Sequence, residues 1–237
     1  MTSKRQTEFI PIRRTAMHQK HLALGASLVE RDGWQQASRF DSVEDEAKLL
    51  RDTVGIYDIS PKSKFGVKGD RLVQFISEIF SESTIPNVTE SNITRIKDEK
   101  VTLCRLAEDE ILCLAAARSQ KALAEALKNK SGQCAHTLEL TSGLAGIGIV
   151  GPRATRLLSM ISELNTSDSD FTNLCCAQSK FADIHGVVLR TDIGDLPGYQ
   201  LYCGREFGEY LWEALMQAAD VCGGGPVGFE ACDALTG

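Results

Sequence analysis

The stretch KFGVKGDRLVQFISEIF, Lys64 to Phe80, changes its period half-way. Lys64 to Lys68 alternates like a short, half-buried strand. After Gly69, residues Leu72, Phe75, Ile76, Ile79 and Phe80 fall at i, i+3, i+4, i+7 and i+8, which is one face of an amphipathic helix. The same succession returns in GIGIVGPRATRLLSMI, Gly146 to Ile161, where Leu157, Leu158 and Ile161 share a helix side. Pro152 suits the opening turn of that second helix, where a missing N–H costs nothing. Gly66, Gly69, Arg71, Ser77 and Ile79 align with Gly148, Gly151, Arg153, Ser159 and Ile161 at one constant offset.

The likeness extends outward from both junctions. Val101 to Leu106 and Ile111 to Ala116 read as a hairpin around Glu108-Asp109-Glu110, and a helix follows over Gln120 to Lys128. Leu144 to Val150 is the strand of the second junction; Val187 to Thr191 and Tyr199 to Cys203 are the next two strands. A helix from Glu206 then carries Phe207, Tyr210, Leu211, Ala214, Leu215 and Ala218. Glu125-Ala126-Leu127 meets Glu213-Ala214-Leu215 at a slightly larger offset. Upstream, Ser42 caps a helix over Val43 to Val54 with Ala47, Leu50 and Val54 as its stripe; Gly55 ends it, and Ile56 to Ser60 alternates. The expected fold class is therefore α+β. Two related ferredoxin-like halves, roughly 42–130 and 136–237 within one unit of 1–237, carry mostly antiparallel sheets with helices packed on one face.

Composition narrows the function classes. A net charge of −6 gives no basic footprint for nucleic acid or an anionic membrane, so neither is an expected partner. The longest uncharged run, Leu140 to Pro152, is too short and glycine-rich to span a bilayer. MTSKRQTEF at the start has no apolar run behind its basic residues, so no signal peptide and a cytoplasmic location are expected. The eight cysteines lack zinc-ligand spacing and are expected as reduced, mostly buried small hydrophobes, with a weaker redox reading for Cys175-Cys176. His18 and His21 stand one helical turn apart, but no acid or thiol at helical spacing completes a metal set. They are expected at the surface, with no metal. Gly223-Gly224-Gly225-Pro226 reads as a flexible turn, since no helix follows it as in a phosphate loop.

Several segments resemble one family in order along nearly the whole chain. His18 to Ala26 followed by Asp32-Gly33-Trp34 resembles the entry of the glycine-cleavage T-protein family, the aminomethyltransferases. Arg51 to Ser60 is similar to its R-x-x-x-G-[LV]-[FY]-D-[VIL]-S strand. Val67-Lys68-Gly69 and Ile149 to Pro152 look like its two strand–Gly–helix junctions. Arg190 to Tyr202 resembles R-T-G-Y-T-G-E-x-G-[FY]-E, and Gly228 to Leu235 resembles G-L-x-A-R-D-x-L-R. Arg13 to His18 is most similar to the T-protein-like part of sarcosine and dimethylglycine dehydrogenases.

The resemblance implies two α+β parts and a C-terminal barrel around a tetrahydrofolate channel. The reaction it implies is one-carbon transfer from an aminomethyl-lipoyl carrier to tetrahydrofolate. It also places residues. The family's catalytic Asp falls at Ser83, with Glu82 adjacent; its pterin-binding Glu falls at Gln200, beside Tyr199; its Arg-Asp pair falls at Cys232 and Asp233. The family's methionine in S-H-M-G falls at Lys62. Asp233 keeps the family's residue; the departures at Ser83, Gln200, Cys232 and Lys62 fall on the site, while core glycines and apolar spacings persist. One-carbon transfer with tetrahydrofolate is the activity expected from overall likeness. Site chemistry favours two alternatives: a non-catalytic subunit, similar to the small chain of multi-subunit sarcosine oxidase, or a small-molecule-binding scaffold. The sequence given stops where the family passes into its barrel. A lipoyl carrier, a dehydrogenase subunit or a second copy is therefore expected as partner, the last two over apolar surface the barrel would cover.

Overall fold

The computed structural model describes residues 12–80, 84–129 and 135–236. A small sheet comes first. β1 (Arg13–Arg14) leads into α1 (His18–Ala23), then β2 (Ser27–Arg31) and β3 (Trp34–Arg39); β3 lies between the other two strands. Helix α2 (Val43–Asp52) starts where expected: the Ser42 hydroxyl accepts from the Asp45 N–H, and Glu44, Asp45 and Glu46 crowd the first turn. Acids there complement the positive helix end.

β4 (Gly55–Asp58) and β5 (Ser63–Lys68) follow, then α3 (Leu72–Ile79), β6 (Ser91–Ile96), β7 (Glu99–Ala107), β8 (Glu110–Ala115) and α4 (Gln120–Lys128). Next come β9 (His136–Glu139), β10 (Leu144–Val150), α5 (Ala154–Ile161), β11 (Cys176–Phe181), β12 (Ile184–Arg190) and β13 (Gly198–Gly204). The last elements are α6 (Gly208–Val221), β14 (Gly225–Pro226) and α7 (Phe229–Thr236).

The two large sheets are ordered β6-β7-β8-β5-β9 and β11-β12-β13-β10-β4-β14. Both contain the same four-strand arrangement, made from strand, helix, three strands and helix in chain order. β4 joins the six-stranded sheet through β10, and β9 joins the five-stranded sheet through β5. Each sheet thus receives a strand from outside its own repeat, which ties the two together by backbone hydrogen bonds.

Alternation along the strands sets the layers. Leu103, Ile111 and Cys113 face α3 and α4 in one core with Phe75, Ile76, Leu123 and Leu127. Their neighbours Cys104, Leu112 and Leu114 face the other sheet, meeting Cys176, Leu189 and Tyr202. Helices α5 and α6 cover the outer face of the six-stranded sheet, burying Leu157, Leu158, Leu211, Trp212 and Leu215. Each such leucine removed from water contributes about 2 kcal/mol before the entropy of ordering it. The result is helices, sheet, sheet, helices: an α+β sandwich with helices on one face of each mostly antiparallel sheet.

Local readings differ in places. The second junction turns before it coils: Gly151 has φ +137, so α5 begins at Ala154 rather than at Pro152. Gly223-Gly224-Gly225-Pro226 is not a free turn. Gly223 turns with φ +67, and β14 then pairs in parallel with β4. His18 and His21 are buried, not at the surface, because α1 packs under β3 and α6; the His21 ring stands edge-on to Phe40 and Trp212. Burial leads the causes that lower both imidazole pKa values. Among the described residues no helix is long and apolar enough to cross a membrane.

Candidate functional site

The site forms where the chain crosses from one sheet to the other. β4 ends at Asp58, whose carboxylate accepts the Ser60 N–H at 2.8 Å, a turn that an Asx side chain closes well. The Ser60 hydroxyl bridges the Gly146 backbone, accepting from its N–H at 3.0 Å. The Lys62 N–H then closes on the Ile59 carbonyl, and β5 begins at Ser63. This anchored crossing delivers two lysines between the sheets.

Lys64 is fully buried and donates to the Ser60 and Lys62 carbonyls at 2.6 and 2.8 Å. Burial pushes its ammonium down to about 7, against the pull of Asp58; Lys62, Arg13 and Arg205 add to the lowering. Asp58 also looks back at His21, with 3.8 Å between Oδ2 and Nε2.

Lys62 lies in front and lines two cavities. One, of about 580 Å³, is walled by Arg95, Lys100, Leu114, Ala115 and Gln200. A smaller one of about 170 Å³ reaches Arg31, Tyr57, Asp58, Phe229, Cys232 and Asp233. The Lys62 ammonium donates to Gln200 Oε1 at 2.9 Å. Its pKa is pushed down to about 8, by burial first, with the Cys104 and Cys232 positions opposing.

Gln200 is the hub of the network. Its Oε1 also accepts from the Tyr202 hydroxyl at 2.7 Å, and its Nε2 donates to Thr191 Oγ1 at 2.8 Å. Tyr202 is a donor here, since burial keeps its phenol far above its usual pKa. An amide oxygen has two lone pairs, and both are used.

The residues singled out in the sequence separate into groups. Lys62 and Gln200 touch, and Cys232 shares the smaller cavity with Lys62. Burial, then Asp233 and Glu46, hold the Cys232 thiol protonated well above its usual range. Asp233 stands at the cavity edge in a 2.8 Å ion pair with Arg31, whose guanidinium covers the Phe229 ring. Tyr199 is not in the groove. Successive strand residues face opposite sides, so while Gln200 points between the sheets, Tyr199 points under the helices. There it stacks on Phe171 and bonds Thr155 at 2.8 Å. Ser83 and Glu82 lie outside the described residues. Lys64, Arg31, Arg95, Lys100 and Arg118 carried no sequence signal beyond charge. The alternation of β5 was the one clue that Lys64 and Phe65 take opposite sides.

The comparisons with known proteins fit this arrangement. The model of the GCVT N-terminal domain matches residues 17–236. The chain belongs to the GCVT N-terminal domain family. Among its relatives is an aminomethyltransferase of Halothermothrix orenii (strain H 168 / OCM 544 / DSM 9562), 24% identical over 240 residues, which cover 94% of this chain and 64% of the relative. Another is the 4-methylaminobutanoate oxidase (formaldehyde-forming) of Paenarthrobacter nicotinovorans, 28% identical over 252 residues, 94% of this chain and 30% of that protein. This GCVT-domain chain therefore spans less than two thirds of the length of those relatives. Its fold is shared with the glycine cleavage system aminomethyltransferase T of Bartonella henselae at a TM-score of 0.82, 20% identity, and 95% and 62% coverage of the two chains. A chain of the heterotetrameric sarcosine oxidase of Corynebacterium sp. U-96 also shares it, at a TM-score of 0.62, 16% identity, and 87% and 94% coverage.

Proposed function

We propose that this GCVT-domain chain works as a T-protein-like binding subunit in amine or one-carbon metabolism, not as a folate-dependent aminomethyltransferase. One observation carries the reading: the Lys62 ammonium and the Tyr202 hydroxyl occupy both lone pairs of Gln200 Oε1. Family resemblance puts the pterin-binding carboxylate at that position. A pterin edge offering two adjacent N–H donors needs a free double acceptor, and an amide oxygen already accepting twice supplies none. The residues present therefore do not fit tetrahydrofolate in the family's manner. Cys232, a neutral thiol, cannot replace a guanidinium either.

Likeness to a chain of nearly equal length in a heterotetrameric sarcosine oxidase supports a subunit role, with an amine-oxidising chain as partner. Fold alone does not assign function, so the site must decide. Calorimetry with tetrahydrofolate to millimolar concentration is expected to give no saturable heat, and an aminomethylated lipoyl carrier no turnover. Saturable folate binding, or robust ammonia release with that carrier, would overturn the reading. Where an amine oxidase chain is encoded beside it, co-expression of the two is expected to give a stoichiometric complex on gel filtration.

A further inference from the structure

We propose that Lys62 is a carbonyl-capturing amine, forming a reversible imine with a small aldehyde that bears a carboxylate. Three features of the groove meet at its Nζ. Lys62 lines both cavities, and Gln200, which holds its Nζ, lines the larger one. Its hydrogen bond goes to an amide oxygen rather than to a carboxylate, so among the described residues no ion pair holds the proton on. A neutral amine donating one N–H to Gln200 keeps its lone pair for attack. The depressed pKa agrees: burial brings Lys62 to about 8, and desolvation is how proteins make a lysine nucleophilic near neutral pH.

The wall of the larger cavity selects the anion. The chain carries −6 overall, yet with Lys62 neutral this wall still holds Arg95, Lys100 and Arg118 against Asp98 and Glu99. Arg118 is engaged with Glu99 at 3.1 Å, and Arg95 donates to the Asp98 carbonyl at 2.8 Å. The excess is cationic at the mouth, and a cleft with such a wall draws a carboxylate inward. The cavity of about 580 Å³ takes a small oxo acid with room for water.

The chemistry balances without an oxidant. The Lys62 lone pair attacks the carbonyl carbon, a C–N bond forms, and the carbonyl electron pair passes to oxygen. That oxygen takes up the proton lost from nitrogen, giving a carbinolamine. A second proton on the oxygen lets it leave as water as the nitrogen pair forms C=N. Gln200 orients the amine throughout through its 2.9 Å contact.

The test traps the imine on the whole chain alone, with no partner or folate, so its outcome is separate from that of the subunit reading. The chain is incubated at pH 7 with glyoxylate and cyanoborohydride, which delivers hydride to the imine carbon and leaves carboxymethyl-lysine. Peptide mass spectrometry compares Lys62 with the exposed Lys48 and Lys128. The larger neutral fraction, offset by the lower nucleophilicity of a less basic amine, leaves an expected advantage on the order of tenfold for Lys62. That ratio is expected to be smaller with acetaldehyde, which lacks the carboxylate, and to fall towards the acetaldehyde value at 1 M salt, roughly the concentration that shortens screening to one contact. Lys62→Arg keeps the charge and is expected to lose the selective adduct. Lys62 labelling no faster than Lys48 and Lys128 would overturn the proposal. So would equal ratios for the two aldehydes, which would remove the carboxylate. The wild-type map decides even if the variant fails to fold.

Discussion

Replacing Lys64 by methionine tests the buried lysine through the pH dependence of stability. In the folded chain its ammonium titrates at about 7, and in the unfolded chain near the ordinary 10.5. Between those values the unfolded state binds a proton that the folded state does not. Unfolding then takes up a proton, and raising the pH stabilises the folded wild type. Below about pH 7 both states are charged at this site and its contribution is flat, at its most unfavourable. From pH 7 to pH 9 the wild type should gain about 2 kcal/mol relative to Lys64→Met, and from pH 6 to pH 7 only about 0.4 kcal/mol. The bonds to the Ser60 and Lys62 carbonyls set the offset between the two proteins, not this slope. Buried thiols and phenols titrate in both proteins and cancel in the difference. Urea unfolding at each pH, with the linear extrapolation, measures it. A difference that stays constant from pH 6 to pH 9 would show that Lys64 is not neutral in the native chain and refute the reasoning.

Two other outcomes are expected. Glu46 is buried and accepts the N–H groups of Phe40, Asp41 and Gly228, the last at 2.8 Å, so it fastens α2 to the start of α7. Glu46→Ala orphans those donors and should cost about 3 kcal/mol in urea unfolding; a loss under about 1 kcal/mol would mean water replaces the carboxylate. Gln200→Glu puts a charge 2.9 Å from Lys62, which should raise the lysine pKa. Its selective trapping by glyoxylate at pH 7 is then expected to drop to the level of Lys48 and Lys128. Retained selectivity would mean that the neutral amine is not what reacts.

The strand–Gly–helix junctions at Gly69 and Gly151 and helix α4 follow from periodicity, because each helix buries one face; β10 reads instead as a continuous run of apolar and glycine residues, because it is buried on both faces. β6, β11 and the small first sheet were missed. Their apolar residues are sparse, as in Asn92 to Ile96 with its exposed Ile93 and Arg95, so they carry little alternation. His18 and His21 were expected in solvent. Their burial depends on α6, nearly two hundred residues away in the chain, closing over α1 through Trp212.

By itself, the sequence determined the α+β class and the family, since these rest on local period and on motifs kept in order. It also marked Lys62, Gln200 and Cys232 as departures, with Asp233 retained. Only the tertiary structure decided what those departures do. Lys62 and Gln200 are 138 residues apart. They meet because β4 crosses into the partner repeat's sheet and the chain returns through the Ser60 turn. That crossing desolvates a lysine, saturates the amide oxygen beside it and turns Tyr199 away, and none of these is a property of the residues taken singly.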